Sequence, residues 1–166
     1  VQGDQHSVRL DRTDLGILRY LQERAGCSDK KSAARFEVTV DDYVRRVRRL
    51  EAHGYIRGYV ALVERSAVEL PMTVLVCVTL SQQSELALAA FEERIAEEPS
   101  ITECYSLLGE ESYFLKVVAR DLEDFSHILR KKLLRMADMA RISSAIVVTI
   151  VKESTAIPLY SARNKI

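Results

Sequence analysis

The stretch Val40-Asp41-Asp42-Tyr43-Val44-Arg45-Arg46-Val47-Arg48-Arg49-Leu50 decides how the front of this chain is read. Four arginines crowd its end, threaded by apolar residues at helical spacing. On a helix Tyr43, Val47 and Leu50 share one face, which leaves Arg45, Arg48 and Arg49 pointing away. A helix that is anchored on one side and basic on the other suits a groove walled by phosphates. The plainer reading is a solvated, arginine-rich surface helix. The neighbouring residues decide between the two.

Thr39 is an N-cap for this helix, and Asp41 and Asp42 favour the positive end of its dipole. Gly54 stops it. Further upstream, Asp11 or a neighbour can cap a first helix, with Asp14 in the capping-box position and Ile17, Leu18 and Leu21 forming its apolar stripe. Gly26, Cys27, Ser28 and Asp29 break that helix and cap a second, over residues 30–36. Helix, helix, short turn and basic helix is the helix-turn-helix order. Residues 55–63 are rich in β-formers and predict a wing or a hinge strand.

Charge separates the two halves. Residues 8–59 carry twelve Lys/Arg against eight Asp/Glu, whereas residues 60–166 carry twelve against fifteen, so the formal net charge of zero hides a basic front and an acidic rear. That asymmetry points to a nucleic-acid module joined to a second function. A chain of 166 residues builds one medium domain or two small ones. Its longest apolar runs, residues 74–80 and 145–151, are far shorter than the roughly 20 residues of a membrane-spanning helix. Residues 1–7 are polar and lack a signal-peptide core, so a cytoplasmic protein without a membrane partner is expected. Cys27, Cys77 and Cys104 are odd in number and scattered, and read as reduced core or partly buried thiols. His6, His53 and His127 show no ligand spacing, so neither a metal nor a cofactor is expected. His53 reads as a capping or dipole contact, and Glu92-Glu93 and Glu97-Glu98 as the solvent face of a helix.

After residue 71 the hydrophobic period becomes two. Met72, Val74, Val76, Val78 and Leu80 line one face of a strand, and Thr73, Leu75, Cys77 and Thr79 the other. A helix with Leu88, Phe91 and Ile95 in register ends near Pro99. Strands over residues 101–108 and 113–119 flank a turn at Gly109. Asp121 then caps a helix with the core row Leu122, Phe125, Leu129 and Leu133. Residues 143–152 form the last strand. The order βαββαβ is a ferredoxin-like unit, so the fold class is α+β. Helices cover only one face of such a sheet, and an apolar second face predicts a partner sheet from another copy of the chain.

From Leu10 to Lys152 the chain resembles the Lrp/AsnC, or feast/famine, family of transcription regulators. Four blocks carry the resemblance: Leu10-Asp11-Arg12-Thr13-Asp14 with Ile17-Leu18; Arg46-Val47-Arg48-Arg49-Leu50-Glu51 with Gly54-Tyr55-Ile56; Glu103-Cys104-Tyr105 with Gly109, Tyr113, Leu115 and Lys116; and the strand closing on Val151-Lys152. The resemblance implies a winged helix-turn-helix over residues 8–60, a hinge over 61–70, and a ferredoxin-like effector-binding and oligomerisation domain over 71–153, with 154–166 as a tail. It implies a sequence-specific DNA-binding regulator whose partners are double-stranded DNA, an amino acid or related effector, and further copies as a homodimer that assembles up to an octamer. On DNA, Arg45, Arg48 and Arg49 are the expected groove contacts and Lys30, Lys31 and Thr39 the phosphate contacts, while Asp41 and Asp42 enter the groove, where Asp can accept from cytosine. The effector is expected near Gly109, Glu110, Ser112 and Tyr113, with Ser144 on the neighbouring strand.

The chain departs from the family pattern at named positions. Glu37 stands where the family has a turn glycine, a strained choice if φ is positive. Ser32 stands where a leucine is common. In the sensor loop, Leu108 replaces a hydroxyl residue, Glu110 lengthens one carboxylate and Ser112 replaces another, so a weak or atypical response to ordinary α-amino acids is expected. The simpler reading of residues 109–112 is a β-hairpin turn. Two alternatives remain: a siroheme-decarboxylase-like enzyme on the same architecture, disfavoured by the aliphatic run at residues 145–151, and a sensor whose DNA contact has decayed.

Overall fold

Asp11 opens the first helix by closing a reciprocal capping box with Asp14. The Asp14 N–H donates to Asp11 Oδ1 at 2.7 Å, and the Asp11 N–H donates to Asp14 Oδ2 at 3.1 Å. This is helix α1 (Arg12–Glu23) of a computed structural model that describes residues 9–24, 29–82, 84–135 and 139–160. The break expected at residues 26–28, the first seven residues, Cys27 and His6 lie outside the described residues. The chain divides into two compact units, one running to Ala61 and resuming at Lys152, the other Leu62–Val151.

In the first unit α2 (Asp29–Arg35) is followed by α3 (Val40–Ala52). The Val38 N–H reaches the Ala33 carbonyl at 3.2 Å and the Glu37 N–H reaches that of Ala34 at 3.3 Å, the paired bonds of a left-handed helix C-cap. Glu37 has φ +56°, so the position at which a turn glycine was expected is left-handed. Thr39 caps α3, its Oγ1 accepting the Asp42 N–H at 3.2 Å, and Gly54 at φ +72° ends it. Ile17, Leu18, Ala33, Tyr43 and Leu50 are buried together, with Phe36, Val47 and Leu159 packed against them. Ser32 is also buried, at the place where a leucine is common.

Two expectations fail in this unit and just beyond it. Residues 55–63 form no strand, because none of the described residues pairs with them; Tyr59, Val60, Leu62 and Val63 are exposed, although the Tyr59 hydroxyl donates to Glu51 at 3.0 Å. Within the segment expected as a tail, Ile157 and Leu159 are instead bonded to α1. The Gln22 side-chain amide donates to the Ile157 carbonyl at 3.2 Å and accepts the Ile157 N–H at 2.7 Å, and Arg19 donates to the Leu159 carbonyl.

The second unit opens with a 3-10 turn at Arg65–Val68, inside the expected hinge. It continues through β1 (Met72–Leu80), α4 (Glu85–Glu97), β2 (Ile101–Ser106), β3 (Tyr113–Ala119), α5 (Leu122–Lys131) and β4 (Met139–Ile146). The sheet is antiparallel in the order β2-β3-β1-β4, the ferredoxin-like arrangement. Val74, Val76, Val78 and Leu80 meet Phe91, Ile95, Leu115, Val117, Phe125, Ile128 and Leu133 in one core. Leu122 was expected in that core but lies 58% exposed in the first turn of α5, and Ile128 takes its place. The last strand begins and ends earlier than residues 143–152. Its pairing with β1 stops at Val74↔Ile146, followed by the Val147 N–H to the Thr73 carbonyl, because β1 itself starts at Met72. Leu75, Cys77, Phe114, Lys116, Tyr105 and Glu103 occupy register positions on the face opposite the core.

Candidate nucleic-acid interface and effector site

The arginines of α3 divide differently from the expectation. Asp14 is fully buried, and its carboxylate accepts Arg46 Nη1 at 2.8 Å and Arg49 Nη2 at 2.6 Å. Arg46 also donates to Asp11 at 2.7 Å and, through Nε, to Asp42 at 2.9 Å. Arg49, expected in the DNA groove, is therefore turned toward the first helix, and its Nε is buried without a hydrogen-bond partner. The physical reason is angular. Residues 46 and 49 are three apart and sit on the flank between the apolar and outer faces, where the capping-box carboxylates of α1 meet them. A two-face reading has no place for a flank.

Arg48 is exposed and makes no ion pair among the described residues. Arg45 is exposed too, but its guanidinium bonds to Asp42. The Asp42 carboxyl is held below its ordinary value by hydrogen bonds from Arg45 and then Arg46. At Asp11 burial pushes upward, but the Asp14 N–H and the Arg46 guanidinium outweigh it and the carboxyl titrates low. The hydrogen bonds that Arg46 donates to Asp11 and Asp42 raise its pKa, and it stays cationic. Lys30, Lys31, Thr39 and Asp41 are exposed, with the Thr39 hydroxyl oxygen already used as a cap. His53 Nδ1 lies 2.8 Å from the Arg49 carbonyl, the capping contact expected of it. Sequence reasoning missed Arg46, and the signal was available: Asp11/Asp14 and Arg46/Arg49 are oppositely charged pairs with the same spacing of three.

In the second unit the expected effector residues are not brought together within one chain. Gly109 and Glu110 are exposed on the β2–β3 turn; nothing lies within 4 Å of a Cβ built on Gly109, and its φ is not positive. Ser112 is committed to the sheet: its Oγ accepts the Leu80 N–H at 3.2 Å, its own N–H donates to Val78 at 2.8 Å, and its carbonyl accepts the Leu107 N–H at 2.9 Å. Tyr113 points into the core, 1% exposed, and its hydroxyl donates to Glu92 Oε1 at 2.8 Å. Burial, and then the Glu92 carboxylate, raise the pKa of that hydroxyl. Ser144 is exposed on β4, and β1 lies between β4 and β3.

Sequence reasoning assigned Glu92 to a solvent face and did not find its bond to Tyr113. With Tyr113, Ile95, Ala96, Cys104 and Ser106 it lines an open cleft of about 240 Å³ between α4 and the sheet. Burial raises the Cys104 thiol pKa, with the Glu92 charge adding to it, so this thiol is not activated.

Comparison with known proteins places these two units together in one family. Residues 73–157 match the model described as the Lrp/AsnC ligand binding domain. The chain is similar to the Bkd operon transcriptional regulator of Pseudomonas aeruginosa, 37% identical over 92% of this chain and 99% of that protein. It is also similar to the leucine-responsive regulatory protein of Rhizobium meliloti, 32% identical over 89% of this chain and 94% of that one. Among solved structures, a transcriptional regulator from Neisseria meningitidis in complex with L-Met superposes with a TM-score of 0.86 at 28% identity, covering 90% of this chain and 96% of the other. An AsnC family transcriptional regulator from Agrobacterium tumefaciens does so with a TM-score of 0.86 at 29% identity, covering 90% and 97%. With the capped helix pair at the front and the ferredoxin-like sheet behind, this chain belongs to the Lrp/AsnC family of transcription regulators.

Proposed function

We propose that the first unit binds double-stranded DNA through α3, with Arg48 and Arg45 reaching the duplex and Lys30 and Lys31 of α2 adding phosphate contacts. One observation carries this reading: α3 is anchored by buried Tyr43 and Leu50 and held against α1 by Asp14, while Arg48 on its outer side is exposed and unpaired among the described residues. A rigid helix presenting an uncommitted guanidinium is suited to a phosphate-lined groove. Arg49 is not included, since its Nη2 is engaged by Asp14. The test is duplex binding across a salt series. Arg48→Ala should make the slope of log K against log salt shallower by about 0.9 and weaken binding to all sequences alike. An unchanged slope in Arg48→Ala and Arg45→Ala would show that α3 does not face the duplex.

The second unit we read as the sensor for an amino acid or related small molecule, the class represented by L-Met in the Neisseria relative. Because Ser112 and Tyr113 are turned inward, a ligand at the β2–β3 turn would meet Gly109 and Glu110 first, and a second copy of the chain would supply the remaining wall. The apolar residues opposite the core support assembly through that face. Sedimentation at micromolar concentration tests this: a stable monomer refutes it. The relatives are regulators by name, and we read this chain as a regulator, not as an enzyme, acting in the cytoplasm.

A further inference from the structure

Asp42 sits in the first turn of α3, 22% exposed, and binds two arginines at once: Arg45 through Oδ1 and Arg46 through Oδ2. Arg46 is shared with Asp11 and Asp14, so it has carboxylates to hold it whatever happens at Asp42. Arg45 has no second ion-pair partner among the described residues, and its side chain is 79% exposed. A guanidinium in that position is reachable by a phosphate, but the phosphate must first displace a carboxylate of the same charge and similar geometry. Asp41, the adjacent residue, is equally placed at the helix start and equally acidic, yet makes no ion pair among the described residues. The two aspartates thus differ in what they bind: Asp42 engages Arg45 and Arg46, and Asp41 neither.

We propose that Asp42 is an internal competitor for DNA, a carboxylate that occupies Arg45 in the free chain and lowers the phosphate-driven affinity of α3. Its charge neutralises a cation that would otherwise condense onto the duplex and release a counterion. The salt dependence of binding is therefore shallower than the arginine content of α3 implies. This inference rests on the DNA-binding reading above.

The test uses the full chain and a random-sequence duplex, with affinity measured from 0.05 to 0.5 M salt as an order-of-magnitude range. Asp42→Asn should bind more tightly, with a slope steeper by about 0.9, equivalent to about eightfold in affinity at 0.1 M relative to 1 M salt. Asp41→Asn removes the same charge from the same turn without freeing an arginine, so its slope should change by less than half as much. Asp42→Glu keeps a carboxylate for Arg45, so its slope should lie nearer that of the unsubstituted chain than the slope of Asp42→Asn does. Asp42→Ser is the second variant and must move in the same direction as Asp42→Asn, with circular dichroism showing that both keep the helical fold. If Asp42→Asn and Asp42→Ser bind no more tightly than Asp41→Asn, the competitor role is overturned. The two readings separate cleanly: salt-dependent binding that Arg48→Ala weakens, with an unchanged Asp42→Asn slope, overturns only this one. A chain that binds no duplex at any salt overturns both.

Discussion

Replacing Glu37 with glycine should stabilise the first unit. Glu37 holds φ +56° between α2 and α3, and an L-residue with a Cβ in the left-handed region is disfavoured by roughly 1–2 kcal/mol. Glycine removes that strain but loses more backbone freedom on folding, a cost of about 0.5–1 kcal/mol. The side chain is exposed, so little packing is lost, and a carboxylate beyond the C-terminus of α2 opposes the helix dipole by about 0.3 kcal/mol. The balance is a gain of about 0.5–1 kcal/mol. Urea unfolding followed by far-ultraviolet circular dichroism reads it as a midpoint shift of about 0.4 M, taking a slope near 2 kcal/mol/M. Glu37→Ala separates the two causes, because it removes the charge and keeps the Cβ. If Glu37→Gly is no more stable than Glu37→Ala, the turn stores no strain and the reasoning is wrong.

Asp14→Ala should destabilise the first unit by about 2 kcal/mol: the reach-back bond to the Asp11 N–H and two ion pairs are lost, partly offset by alanine's better helix propensity. A change below about 0.5 kcal/mol in a denaturation curve would contradict that. Phe91→Ala, at a fully buried site whose ring centroid lies 4.7 Å from that of Tyr113, should cost the second unit about 3–5 kcal/mol, read as a fall in its melting temperature. Acid sensitivity has a definite sign. Asp42 (through Arg45) and Glu103 (through Lys116) are held below their ordinary values, so their stabilisation is complete above the unfolded values near 4 and is lost as pH falls through the lowered ones. Stability should be flat from about pH 6 to 8 on account of these groups, and Asp42→Asn should blunt the decline below about pH 4.

The elements that were legible in the sequence are those whose determinants are local. Asp11 with Asp14, Thr39 before α3, Gly54 after it and the period-two run of β1 each specify their own geometry, and all appear as expected. The strained turn was visible too, since Glu37 occupies a position that needs a positive φ. What was not legible depends on partners distant in sequence. Residues 55–63 have the composition of a strand, but a strand exists only where another backbone pairs with it. The end of β4 is set by where β1 begins, not by the apolar residues that continue to Val151. Arg49 looked outward on a helical wheel because the wheel does not include Asp14, 35 residues away. Ser112 and Tyr113 looked like ligand groups because their commitments to Leu80, Val78 and Glu92 cross between elements.

The clasp between Gln22 and Ile157 has a consequence for how the molecule is made. The two residues are 135 apart, and the whole second unit is synthesised between them. At about 5–20 residues per second a ribosome needs roughly 7–27 seconds to cover that distance. During that interval α1 has no Ile157 to bind and its core lacks Leu159. The first unit to emerge is therefore the last to be finished, and during synthesis the second unit can fold before the first is complete.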